Sequence, residues 1–187
     1  MLERSVRAEK GKGDAMHADA SNTKDILTRL SPVFSTCAIE CVKALFGHQT
    51  EIHMPWQVVA QLQGQFDCIL TVGSASHEYS AITCAGIQYD SLKSFVDEED
   101  IPTEYASDIL GEFVNVYTGI LADKREFREQ FGFLTQAVPI LYTDGHSFLP
   151  FIWGIQGYLY KGEHWLYVGY SIRKTIDVDA PSRESVV

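Results

Sequence analysis

The sequence predicts an α+β domain in which long helices pack on a largely antiparallel sheet. This prediction depends on the order of the elements along the chain, helix–strands–helices–strands, and on the hairpins that join neighbouring strands. The chain has 187 residues, of which 45% are hydrophobic and 12% aromatic, enough for one packed domain. We expect this domain to span residues 25–176, between a disordered polar leader at 1–24 and a flexible tail at 177–187.

The first half of the domain begins with a helix. Apolar residues recur at helical spacing from Ile26 to Leu45, and Gly47 is a plausible helix end. The dipeptide Ser31-Pro32 either starts a fresh helix or kinks a longer one. We expect two strands within residues 51–73, turning near Gly64-Gln65. A short helix should follow from Ser74 to about Ala85, with Ser74 or Ser76 as its cap.

A second long helix is predicted from about residue 104 to 122, after the charged loop 97–100. Placed on a helical wheel, its residues separate into a broad apolar side and a narrow polar stripe. We expect the helix to pack through the apolar side, and Glu112 and Asn115 to be solvent-accessible. Each of the two glycines beside them costs about 1 kcal/mol relative to alanine, so this stripe requires a compensating reason. The apolar side contains Ile109, Phe113, Val116 and Tyr117, and the stripe contains Asp108, Glu112, Asn115 and Gly119, with Gly111 beside it.

Three strands are predicted after this helix. The segment "FLTQAVPILYT" precedes a loop, "DGHS", and the segments "FIWGIQGYLY" and "HWLYVGYSIRKTI" form a hairpin around residues 161–163. The aromatic residues of the hairpin suit a sheet with one buried face.

Several classes of function are disfavoured by the composition. A formal net charge of −10 argues against a nucleic-acid-binding protein. No apolar stretch is long enough to span a membrane, and no dinucleotide-binding, P-loop or serine-hydrolase motif occurs. The four cysteines form no CxxC pair and the six histidines do not cluster, so we expect no metal site and buried, reduced thiols.

The stretch "SDILGEFVNVYTG", residues 107–119, resembles the signature of the CheC/CheX/FliY family of chemotaxis phosphatases. In that family a helix carries Glu and Asn at an E-x-x-N spacing, and here the match is Glu112 and Asn115. The predicted helices contain only one such motif. In this the chain resembles CheX rather than CheC, whose members commonly carry two. The resemblance covers roughly residues 25–175 and implies a CheC-like fold, a cytoplasmic location and a homodimer.

The resemblance also implies an activity. Such proteins dephosphorylate phospho-aspartate on a CheY-like response-regulator receiver domain, with Asn115 orienting the attacking water and Glu112 binding a lysine of the partner. No cofactor of its own is expected, and a divalent metal, Mg²⁺, is expected on the receiver domain. Because phosphoryl transfer has a loose transition state, positioning a water matters more than a strong base.

Other interpretations remain open at this point. Glu and Asn on the polar stripe of an amphipathic helix are often simply solvated. The chain could be a non-catalytic CheX-like module that docks a receiver or a flagellar-switch protein. It could also be a small-ligand sensor that uses the aromatic sheet.

Overall fold

The chain folds into one antiparallel sheet with helices packed against it. The computed structural model describes the backbone of residues 3–137, 140–149 and 153–175, and the side chains of residues 22–62, 64–137, 140 and 153–175. Its elements in chain order are α1 (Glu3–Phe46), β1 (Gln57–Val59), β2 (Leu62–Ala75), β3 (Tyr79–Ile87), α2 (Tyr89–Val96), α3 (Ala106–Asp123), α4 (Arg125–Phe131), β4 (Thr135–Gln136), β5 (Ile140–Leu149), β6 (Gly154–Lys161) and β7 (His164–Lys174).

The sheet has seven strands in the order β1-β6-β7-β3-β2-β4, and β5 pairs with β2 on the same side as β4. Every described pairing is antiparallel. The predicted α+β class with an antiparallel sheet is therefore confirmed. The predicted final hairpin is confirmed as β6 and β7, which turn at Gly162 with a φ of +64°.

The main core lies between the helices and one face of the sheet. The helices α1 and α3 are joined there by two hydrogen bonds: the Cys41 thiol donates to the Phe113 carbonyl at 3.4 Å, and the Tyr117 hydroxyl donates to the Phe34 carbonyl at 3.4 Å. Phe113 and Tyr117 are fully buried, as the helical spacing predicted. Tyr170 of β7 packs on the Phe34 ring with the ring centroids 5.0 Å apart, so hairpin aromatics help to fill this core.

The opposite face of the sheet carries a second, smaller cluster that is built entirely from strand residues. Tyr167 packs on Phe66 with ring centroids 4.8 Å apart, and Trp165 and Tyr158 are partly buried against them. No helix residue belongs to this cluster within the described part of the chain. The apolar cluster on this face is therefore smaller than the main core and is formed by strand residues alone.

Two predicted elements of the first half are wrong. Residues 79–87 form the strand β3 rather than a helix, because Ser76 does not cap a helix: its hydroxyl accepts the backbone N–H groups of Glu78 and Tyr79 at 3.3 and 3.1 Å and forms the β2–β3 turn. No turn occurs at Gly64, which lies inside β2. A Cβ at Gly64 would overlap the Phe66 ring, so this glycine makes room for an aromatic side chain.

Other differences concern the ends of elements. The helix α1 begins at Glu3, inside the segment 1–24 that we expected to be disordered, and it continues through Pro32 without restarting. The segment "DGHS", which was predicted to be a loop, lies within the strand β5. The helices α2 and α4 were not predicted. The domain limits at 25 and 176 stay predictions, and the tail 177–187 lies outside the described residues.

None of the helices, within the residues that the structure describes, is long and apolar enough to cross a membrane.

Candidate functional site

The predicted second long helix is α3, and it is the element that carries the E-x-x-N motif. A 3-10 turn at Thr103–Tyr105 follows Pro102, and the α-helix then runs from Ala106 to Asp123. The start differs slightly from the prediction of one continuous helix from 104, because the first turn is 3-10. Ser107 donates a hydrogen bond to the Glu104 carbonyl at 3.1 Å and Asp108 lies in the first turn, where the helix dipole favours a negative charge.

Glu112 and Asn115 lie on the exposed stripe of α3, as predicted. Residues three positions apart on a helix have Cβ atoms about 5–6 Å apart, so the carboxylate and the amide are neighbours on one surface. Within the residues that the structure describes, neither side chain has a hydrogen-bond or ion-pair partner. Both are therefore free to bind a group from outside.

The two glycines of α3 are not required by the fold of this chain. Neither has a positive φ. A Cβ at Gly119 would have no heavy atom within 4 Å, and a Cβ at Gly111 would make only an ordinary contact with Leu70 Cδ1 at 3.7 Å. Alanine would therefore fit at both positions, and of the two glycines Gly119 is the exposed one.

Residues 106–123 of α3 contain no lysine or arginine, and the ionisable groups on the outside of this helix are acidic. Asp108 and Glu112 lie one turn apart on the exposed stripe, with Glu104 one turn before them. Such a surface attracts a cationic group and repels an anionic one.

The cysteines of the chain are buried and are not candidates for a nucleophile. Burial raises the pKa of the Cys37 thiol to about 12, and it raises the pKa of the Cys84 thiol to about 12 as well. The pKa of Cys41 rises to about 12 chiefly through burial, with smaller contributions from the charges of Cys37 and Glu112. The predicted burial of the four thiols is confirmed.

No group of three or more His, Cys, Asp and Glu side chains that could hold a metal ion occurs in the described parts of the chain.

One neighbour of the site was missed in the sequence analysis. Gln136, at the end of the short strand β4, reaches across to α3 and donates its side-chain N–H to the hydroxyl of Thr118. Thr118 lies on α3 three residues after Asn115, and its hydroxyl donates in turn to the Val114 carbonyl at 2.8 Å. The Asn115 carbonyl oxygen is a second acceptor within reach, 3.1 Å from the same hydroxyl. No local sequence pattern signals this contact, because it depends on how β4 pairs with the distant strand β2.

Comparisons with known proteins identify the fold. No sequence-family model matches the chain, and no curated protein sequence matches it. The chain is similar in structure to the chemotaxis protein CheX from Vibrio vulnificus, with a TM-score of 0.59 and 13% identity over 75% of this chain and 96% of the other. It is also similar to a chemotaxis protein from Desulfovibrio vulgaris Hildenborough, with a TM-score of 0.60 and 12% identity over 78% and 97% of the two chains.

A third similar structure is a CheC-like superfamily protein from Shewanella sp. PV-4, with a TM-score of 0.59 and 12% identity over 75% of this chain and 94% of the other. At these identities the likeness concerns the fold, and it extends over nearly the whole of each solved chain. The resemblance of residues 107–119 therefore predicted the architecture correctly: this chain has the fold of the CheX and CheC-like chemotaxis proteins.

Proposed function

We propose that this chain is a CheX-like phosphatase that hydrolyses phospho-aspartate on a CheY-like response-regulator receiver domain. The observation that carries the proposal is the pair Glu112 and Asn115. Their side chains are exposed one turn apart on α3, and within the described residues these side chains have no hydrogen-bond or ion-pair partner. The fold shared with CheX and CheC-like proteins supports the same assignment.

In this proposal Asn115 orients the attacking water. A carboxamide is neutral and has both donors and an acceptor, so it can bind a water without repelling the phosphoryl oxygens. The acyl phosphate is already an activated substrate, and the loose transition state of phosphoryl transfer depends mainly on placing the water in line. A Mg²⁺ ion at the receiver's own active site would supply neutralisation of the phosphoryl charge, and the proposal assigns no metal to this chain.

Glu112 docks the helix on the partner in the same proposal. The carboxylate is exposed and lies on an α3 surface without basic residues, so no cation on its own helix competes for it. A lysine of the receiver would form a charge-assisted pair with it. The exposed Gly119 adds no bulk beside the pair and would allow the helix backbone to approach the partner closely.

A phosphate-release assay on a panel of phosphorylated receiver domains tests the proposal. We expect at least one receiver to lose phosphate faster in the presence of this chain than alone. If no receiver loses phosphate faster with this chain than it does spontaneously, the phosphatase assignment is wrong. Binding without acceleration would favour the alternative, a non-catalytic docking module for a receiver or flagellar-switch protein.

We also propose that the chain forms a homodimer through its sheet. The second cluster, which includes Phe66, Tyr158, Trp165 and Tyr167, is drawn only from strands and has no helix residue against it in the described part of the chain. Of these aromatic residues, Tyr158 and Trp165 are only partly buried, which suits contact with a second copy. Sedimentation at micromolar concentration should give the mass of a dimer, and a clean monomer would contradict this.

A further inference from the structure

We propose that Gln136 is a positioning residue for the reaction, acting through Thr118 to hold the turn of α3 that presents Asn115. This inference rests on the proposed function, because it assigns a role at the same site. It names a residue of β4, an element that carries none of the E-x-x-N motif.

The direction of the hydrogen bonds follows from the chemistry of the hydroxyl. Thr118 has one hydroxyl proton, and the nearest acceptor for it is the Val114 carbonyl at 2.8 Å, with the Asn115 carbonyl next at 3.1 Å. The oxygen of Thr118 must then accept from Gln136, so the amide nitrogen of Gln136 faces it. The result is a continuous chain of hydrogen bonds from β4, through one side chain of α3, to the backbone of the turn that contains Asn115.

The base of this chain is fixed to the sheet. Gln136 pairs with Ser74 of β2, and the next residue, Ala137, donates its N–H to the Gly73 carbonyl at 2.7 Å. The backbone that carries Gln136 is therefore anchored on both sides of its Cα. A glutamine on such a backbone has fewer conformations to lose than one on a free loop.

The proposed role explains why the contact bears on function rather than on folding alone. Gln136 is exposed and the contact lies at the surface, so its removal leaves no buried polar group without a partner. Its consequence is local: without the Gln136 contact, the buried side of the turn keeps the packing of Val114 and Tyr117, but its polar side is held only by the helical hydrogen bonds and those of the Thr118 hydroxyl. Because the water must be placed in line, a small increase in the motion of this turn lowers the rate of hydrolysis.

The experiment compares Gln136→Ala with the parent, with Thr135→Ala as the matched control on the same short strand. Thr118→Val removes the hydroxyl with little change in shape, and Thr118→Ser retains it. For each variant we would measure kcat and Kd with a phosphorylated receiver, the melting temperature, and amide hydrogen exchange at Thr118 and Gly119. The double variant Gln136→Ala with Thr118→Val completes a cycle.

We expect Gln136→Ala to lower kcat by about tenfold, below the ~100-fold that a 1 Å misplacement can cost, while Kd stays within about twofold. Exchange at the two amides should be faster, Thr118→Ser should retain the parental kcat, and the double variant should be no worse than Thr118→Val alone. Unchanged kcat and exchange would overturn the inference. A fall in kcat accompanied by a lower melting temperature and weaker binding would also overturn it, because it would indicate a general structural role.

Failure of the proposed function is distinguishable from failure of this inference. If the parent chain accelerates no receiver's hydrolysis, the phosphatase proposal fails, and the exchange measurement alone decides whether Gln136 restrains the turn. Faster exchange at Thr118 and Gly119 in Gln136→Ala would support the restraint, and parental exchange would overturn it.

Discussion

The exposed glycine at the end of the polar stripe gives a prediction in which stability and function change in opposite directions. Gly119 has no positive φ and a Cβ built on it meets no heavy atom within 4 Å, so alanine fits without strain. Alanine is favoured over glycine inside a helix by about 1 kcal/mol. We therefore expect Gly119→Ala to raise the free energy of unfolding by about 1 kcal/mol and the melting temperature by about 2–4 °C.

The same methyl group should lower the affinity of the chain for the receiver. If the partner's surface approaches the backbone of α3 at Gly119, an added methyl forces the two surfaces apart. Overpacking of this kind typically costs about 1–3 kcal/mol, which corresponds to a loss in affinity of about 5-fold to 150-fold. Thermal melting and receiver binding, measured on the same preparations, check both parts.

Gly162→Ala is the matched glycine control. This residue lies in the β6–β7 turn with a φ of +64°, so alanine there should lower stability by about 1–2 kcal/mol. If Gly119→Ala melts at a higher temperature and binds the receiver as tightly as the parent does, close approach does not explain the glycine. If it melts lower, the packing argument for this position is wrong.

Two further predictions concern charged residues. Glu112→Lys should weaken receiver binding by more than tenfold, because it replaces a charge-assisted pair with repulsion. The control Glu112→Gln should weaken binding less. Equal binding by the two variants would contradict the docking role. Asp97 accepts a hydrogen bond from Lys161 at 2.6 Å and contacts His48 at 3.1 Å, and these contacts, the Lys161 hydrogen bond foremost, lower its pKa. The pKa of Asp97 is lower in the folded protein than in the unfolded chain. These contacts therefore stabilise the folded protein at pH values above the unfolded pKa near 3.8, and this stabilisation is lost as the pH falls through the folded pKa. Asp97→Asn, which still tolerates the φ of 57°, should therefore melt below the parent at pH ~7, and the difference should shrink as the pH falls below the unfolded value near 3.8. A difference that stays constant over this range would refute the ion-pair account.

Much of the fold follows from local patterns in the sequence. The burial of Phe113 and Tyr117 and the exposure of Glu112 and Asn115 were predictable because α3 has a clear helical period and a narrow polar stripe. The final hairpin was predictable because Gly162 separates two runs of strand-forming residues.

The errors arose where a local signal serves a tertiary purpose. Ser76 resembles a helix cap, but its hydroxyl accepts the N–H groups of a strand turn. Gly64 resembles a turn, but it makes room for the Phe66 ring. The contact between Gln136 and Thr118 could not be predicted, because it requires the pairing of β4 with a strand some 60 residues earlier in the chain.

The turnover of a phosphorylated receiver by Asn115→Ala, compared with its affinity for the same receiver, tests the central claim most directly. If Asn115 orients the attacking water, the variant should lose on the order of 100-fold in kcat while Kd stays within about twofold, because the amide acts only once the complex has formed. The melting temperature should stay close to the parental value, since the side chain is exposed and has no hydrogen-bond or ion-pair partner among the described residues. An Asn115→Ala variant that melts normally and hydrolyses the phospho-receiver at the parental rate would contradict the assignment of the site to α3.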